Sequence, residues 1–263
     1  MKKTISLLII CFSWVALSQN KVVKAEKLHS IMVNADQYFG LDVLENYYFE
    51  KNNVLIKKNP NQTWEYQNNA LGKISSVDFK NPLRILVFYE EFNTLVFLDN
   101  QLNEIQKITF SLLDNPLFIS FVGMATQNQI WAFDSALQQL FLYNYINNTR
   151  VEQCQPIKNK WLYSQSTFTS FYWISKSNTW ESCSLIGKNK TIVALPNWDK
   201  IQFINDERFV FFNNGALFLK STNSDLTYKI ENVDNSFTNF YWRDQILSIF
   251  TNQQIINYKI SIP

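Results

Sequence analysis

Apolar residues in this chain come in short runs of about five, separated by acidic and Asn-rich breaks. Residues 84–105, RILVFYEEFNTLVFLDNQLNEI, hold two such runs, and neither alternates. A strand with one wet face alternates with period two, whereas a strand covered on both faces reads as a continuous apolar run. The segment predicts a hairpin: Ile85 to Tyr89 up, a turn over Glu90 to Asn93, and Thr94 to Asp99 down. Strands at Ile74 to Phe79 and Glu104 to Phe110 flank it, giving a four-stranded meander. EIQKIT, from Glu104, alternates as an outer, half-wet strand should. No long segment keeps helical spacing.

Similar hairpins begin at Tyr47, Gln129, Arg208 and Gln245, with a less regular one at Thr179. The well-marked ones lie roughly 40 residues apart or a multiple of that, a period typical of blades or solenoid turns. In a propeller the middle strands of each blade lie between neighbouring blades, which explains runs that are apolar on both faces. The chain is therefore expected to be an all-β propeller of four-stranded antiparallel blades, a single domain over residues 19–263. Six blades fill the length, with five or seven as alternatives. The last unit has room for only three strands after Phe237, so Ser30 to Asn34 is expected to close the ring from the other end. FTSFYW (168–173) and FTNFYW (237–242) match at five of six positions and are read as copies of one repeat position.

Composition sharpens the turns. The chain has only 5 Gly and 6 Pro, yet paired asparagines stand where hairpins reverse: Asn52-Asn53, Asn68-Asn69, Asn147-Asn148 and Asn213-Asn214. Asn tolerates positive φ and closes Asx-turns, so these read as turn chemistry. Asp78, Asp99, Asp134 and Asp206 fall at strand ends and read as turn caps.

The first residues, MKKTISLLIICFSWVALSQNK, have a basic start, an apolar core from Ile5 to Leu17 and a small-x-small site at Ala16-Leu17-Ser18. That is a secretory signal peptide over 1–18, too short to span a bilayer. Lipidation of Cys11 is not expected, because Ile10 precedes it where a small residue is needed. The mature chain is expected to be exported, periplasmic or extracellular, with no transmembrane segment. Cys154 and Cys183 then meet an oxidising compartment and can form a disulfide, with two unpaired buried thiols as the alternative.

Basic and acidic residues number 24 and 22, and losing Lys2 and Lys3 leaves the mature chain balanced. No Lys/Arg cluster appears, which argues against nucleic acid or an anionic membrane as partner. No HExxH, CxxC, GxSxG, P-loop or GxGxxG motif is present, and the one histidine, His29, sits near the start. NQTW (61–64) and SNTW (177–180) resemble the tail of the Asp-box turn but lack its Asp and Gly. The chain reads as non-enzymatic, with no catalytic residue, metal or cofactor expected.

Aromatics are the remaining candidates: 8 Trp, 12 Tyr and 22 Phe. Consecutive aromatics on a strand point to opposite faces, so one of Tyr172 and Trp173, and one of Tyr241 and Trp242, is expected to reach a surface. Trp64, Trp198 and Arg243 complete the candidate contact set, since Trp, Tyr and Arg are favoured anchors. ADQYFGLD (35–42), residues 71–108, and FYW followed by WESC (180–183) resemble a group of uncharacterised exported proteins of Bacteroidota. That resemblance implies a six-bladed propeller and an envelope location, and brings no activity or functional residue with it. The expected function is an interaction platform binding another envelope protein. The alternative is a carbohydrate-binding or glycan-processing propeller, and a redox propeller ranks last.

Overall fold

The computed structural model describes residues 21–158, 160–251 and 253–262, so the signal-peptide segment lies outside the described residues. After β1 (Lys21–Met32), the chain builds successive antiparallel meanders. The first blade is β2 (Gln37–Leu41), β3 (Tyr47–Lys51), β4 (Val54–Lys58) and β5 (Thr63–Tyr66). The second is β6 (Ser76–Asp78), β7 (Ile85–Tyr89), β8 (Thr94–Leu98) and β9 (Glu104–Thr109). The third is β10 (Ile119–Met124), β11 (Gln129–Asp134), β12 (Gln139–Asn144) and β13 (Thr149–Gln153). The fourth is β14 (Tyr163–Ser166), β15 (Ser170–Ile174), β16 (Thr179–Ser184) and β17 (Asn189–Ala194). Two further meanders follow: β18 (Lys200–Phe203), β19 (Arg208–Asn213), β20 (Ala216–Ser221) and β21 (Thr227–Glu231), then β22 (Asn239–Arg243), β23 (Ile246–Phe250) and β24 (Gln254–Ile260).

Among the described residues, free-standing four-stranded blades therefore number four, not the expected six. The other eight strands form one sheet, because β1 joins both remaining meanders. Its first half runs parallel to β21, with Lys21 opposite Tyr228 and Lys24 opposite Glu231. Its second half runs antiparallel to β24, with Ala25 opposite Ile260 and Met32 opposite Gln254. β1 thus supplies the strand missing beside β24 and closes the ring; Ser30 and Ile31 pair with Ile256 and Ile255, as expected of that segment.

The non-alternating runs are explained by packing on both sides. In β7, Leu86 and Phe88 pack towards the third blade, in a cluster with Ile130, Phe141 and Tyr143. Ile85, Val87 and Tyr89 pack towards the first, with Tyr48, Leu55 and Tyr66. β8 divides the same way, and all ten residues of the two strands are buried. At about 1.5–3 kcal/mol per fully buried large side chain, these strands hold neighbouring blades together. Like clusters join the third blade to the fourth, the fourth to β18–β19, and β23–β24 to the first blade.

Asn does take the turn role. Asn52, Asn53, Asn148 and Asn214 have positive φ, and Asn68 caps the 3-10 turn Asn69–Leu71. Asp99 accepts from the backbone of Gln101 and Asn103, and Asp134 from Ala136 and Leu137. Two local readings change. The segment from Thr179 forms β16 and β17, the outer pair of its blade, and the central hairpin is β15–β16. FTSFYW enters β15, a second strand, whereas FTNFYW enters β22, a first strand; the two are not copies of one position. In β15 the aromatics are buried on both faces, whereas in β22 Phe240 and Trp242 are buried and Tyr241, on the other face, lines the channel.

Candidate functional site

The strands β2, β6, β10, β14, β18 and β22 all line a central channel of about 350 Å³. Its wall is aromatic at Phe39, Phe79, Phe121, Tyr163, Phe240 and Tyr241. Its polar side chains are spent on neighbouring strands. Gln165 Nε2 donates to Phe203 O (2.8 Å) while Phe203 N donates to Gln165 Oε1 (3.0 Å). One strand further on, Gln202 Nε2 donates to Trp242 O (2.9 Å) and Trp242 N to Gln202 Oε1 (2.7 Å). Asn239 Nδ2 donates to Tyr38 O (3.0 Å), and Met124 N donates to Asp78 Oδ2 (2.8 Å). Each clasp ties a first strand to the next one around the ring.

Among the described residues, Asp78 is the only carboxylate lining the channel, and it is held by Lys80 and the backbone of Met124 and Lys80. Burial, followed by the charge of Asp78, pushes the Tyr241 hydroxyl well above the ordinary tyrosine range, and burial does the same to Tyr163. Both stay protonated. Gly40 and Gly123 let first strands approach closely. A Cβ at Gly40 would lie 2.7 Å from the rings of Phe79 and Tyr241, and one at Gly123 would lie 2.1 Å from Ser166 Oγ. The channel is a structural seam, held by hydrogen bonds from its own side chains.

A second cavity, of about 460 Å³, opens at the rim. Because successive strands reverse direction, second-to-third-strand turns and blade-to-blade connections share one rim of the ring. On this linker rim, Glu90, Ser120, Phe133, Ser135, Gln138, Ile157, Lys160 and Trp161 line the cavity. Trp161 meets Phe133 edge to face (4.4 Å between centroids) and packs on Phe171 (5.4 Å). Its connection is fastened to the third blade by Ile157 N to Gln138 O (2.9 Å) and Gln138 Nε2 to Lys158 O (3.1 Å). A Cys154–Cys183 disulfide, with Cα atoms 6.2 Å apart, fastens it to β16 of the fourth blade.

Exposed apolar side chains surround this pocket. Phe92 (49%), Phe118 (58%), Leu137 (56%) and Leu162 (53%) stand on linker-rim connections of the second and third blades, and Leu112 shares Phe118's connection. These connections are contiguous: Ile119 N donates to Asn93 Oδ1 (2.9 Å), and Ser135 N donates to Phe118 O (2.9 Å). Among the described residues, the other exposed large apolar side chain at this rim is Met32, at the end of β1; the remaining turns include Asn52-Asn53, Ser175–Asn178 and Asn214-Gly215. On the opposite rim Val43, Leu83, Ile146, Phe168, Ile186 and Leu226 are spread around the ring.

The aromatics expected to touch a partner lie mostly elsewhere. Tyr172, Trp173 and Trp242 are buried between blades, and the Tyr172 hydroxyl donates to Asp206 at the edge of a separate surface cavity. Tyr241 lines the channel. Trp64 is half-buried under Lys57, whose ammonium lies 4.8 Å from its ring, and Trp198 is held by Asn178 (2.8 Å). Arg243 is half-buried beside Asp244 (3.8 Å). None of these seven lines the linker-rim pocket. Phe133 lies in β11, inside the hairpin read at Gln129, and Trp161, in a connection, carries no periodic signal.

Among the described residues, no cluster of His, Cys, Asp and Glu could hold a metal ion, and no helix is long and apolar enough to cross a membrane. No family model matches the chain, and no curated protein matches it. Solved structures do. The chain is similar to a catalytically inactive virginiamycin B lyase from Staphylococcus aureus with quinupristin, at 10% identity and TM-score 0.59 over 89% of this chain and 99% of that one. It is similar to a streptogramin B lyase at 9% identity and TM-score 0.56, over 91% and 97% of the two chains. It is also similar to YCF48 bound to a D1 peptide, at 8% identity and TM-score 0.58, over 93% and 99%. At such identities the likeness concerns fold alone, and together with the sheet order it makes this chain a β-propeller with a closed ring.

Proposed function

We propose that the protein is an exported, non-catalytic propeller of the cell envelope that binds another protein through the linker rim of its second and third blades. The observation that carries this reading is the grouping of exposed apolar side chains on four adjoining linker-rim connections around the Trp161 pocket. Contiguous apolar surface rimmed by polar residues marks interaction sites, whereas scattered apolar side chains are ordinary. Trp at a pocket wall is a favoured anchor. The Cys154–Cys183 bridge supports an oxidising compartment, and a propeller of similar fold, YCF48, is bound to a peptide. We read the eight-stranded sheet as two further radial modules fused through β1, which keeps the module count at six.

Glycan processing draws less support, since among the described residues Asp78 is the one carboxylate lining the channel and is paired with Lys80, whereas most glycoside chemistry uses two. The test is a photo-crosslinking residue in place of Leu137, compared with one in place of Leu226 on the opposite rim, in the native cell. Leu137 should capture a protein and Leu226 should not. Equal capture at both, or none at Leu137, overturns the reading. Envelope fractionation with N-terminal sequencing tests export: the mature chain should begin after Ser18.

A further inference from the structure

Glu90 and Lys160 both line the linker-rim pocket, and among the described residues neither side chain has a hydrogen-bond or ion-pair partner. Both are exposed. The apolar lining consists of Phe133, Ile157 and Trp161, and Phe118 and Leu137 extend the apolar surface past the rim. Resting on the protein-binding reading above, we propose that the occupant is an extended peptide segment with an apolar side chain between a basic and an acidic residue. The apolar side chain fills the space bounded by Phe133, Ile157 and Trp161. The basic residue pairs with Glu90 and the acidic one with Lys160.

Charge complementarity selects this occupant. Covering an unpaired carboxylate and an unpaired ammonium with a neutral ligand would desolvate both and repay neither. A ligand of one sign would pair with one and be repelled by the other. A neutral sugar could use the polar lining but would leave Phe118 and Leu137 uncovered. A cavity of about 460 Å³ is within the range of small-ligand pockets and admits one large side chain with its flanking backbone.

The probes are three acetylated, amidated peptides with the core Gly-Leu-Phe-Leu-Gly, flanked by Lys and Glu, by two Lys, or by two Glu. Binding to the purified mature protein is read by fluorescence polarisation. Wild type should prefer the mixed-charge peptide about three- to five-fold over each like-charged one, the scale of one partly exposed ion pair. Glu90→Lys should shift the preference to the two-Glu peptide, and Lys160→Glu to the two-Lys peptide. Equal binding of all three, no binding of any, or preferences that ignore both reversals overturn the proposal. Self-association that Leu137→Asp abolishes would also overturn it, by making a second copy the occupant. A crosslink to a different protein surviving at Leu137 beside any of these results would leave the protein-binding reading standing, with the mixed-charge peptide occupant lost.

Discussion

Replacing Gln202 with Ala removes both hydrogen bonds between β18 and β22, at 2.9 and 2.7 Å. Trp242, whose backbone loses both partners, is buried. A net hydrogen bond contributes about 1 kcal/mol, and a buried group left unpaired costs about 1–3 kcal/mol. Gln202 lines the channel, so water can re-satisfy part of the exposed backbone. The expected loss is about 2 kcal/mol, rising towards ~4 kcal/mol if the site stays dry. For a chain of this size that lowers Tm by roughly 4–8 °C. Thermal and urea unfolding followed by circular dichroism read the change, with Gln101→Ala on an exposed turn as the reference. Gln202→Asn should fail as well, since its amide is one methylene short. A loss below ~0.5 kcal/mol for Gln202→Ala, or one no larger than for Gln101→Ala, would refute the view that amide clasps hold the first strands together.

Serine at both Cys154 and Cys183 should cost about 3 kcal/mol on the chain-entropy account and raise hydrogen exchange over residues 155–162; unchanged exchange there would show that the bridge does not set the pocket wall. Gly123→Ala should destabilise by about 1–3 kcal/mol through overpacking, and adding Ser166→Gly, which removes the contacting hydroxyl, should recover part of it. Strictly additive losses in that cycle would place the clash elsewhere. Burial lifts the hydroxyl pKa of Tyr38, Tyr48, Tyr163 and Tyr241 in the folded chain. A raised folded pKa means their contribution is complete below the unfolded value near 10 and is lost as pH rises above it. Stability should therefore fall above about pH 10, with tyrosinate absorbance at those residues appearing only on unfolding; full titration of a still-folded protein would contradict this.

The strands were legible because burial on two faces leaves a mark in sequence. Ile85 to Tyr89 and Thr94 to Leu98 could be placed within a residue, and so could the closing role of Ser30 and Ile31. Asn at positive φ marked the turns for the same local reason. The candidate site was not legible. Tyr172-Trp173 and Tyr241-Trp242 were chosen because adjacent strand residues face opposite ways, which is true, but in a ring both ways lead into packing or the channel. Trp161, Phe118 and Leu137 stand on connections, and only the order of blades brings those connections together. The fusion of two meanders by β1 was equally hidden, since a parallel pairing of Lys21 to Lys24 with β21 depends on where the ring ends.

That β1 pairs with β21 and β24 bears on how the protein comes into being. The strand that seals the circle is the first described segment of the chain, while its partners begin only at Thr227 and Gln254. During synthesis its edge must wait, unpaired, for almost the whole polypeptide to follow. Closure is consequently a late, long-range event with a large loop-entropy cost. Until then each nascent blade exposes a sticky flank that invites association with other chains.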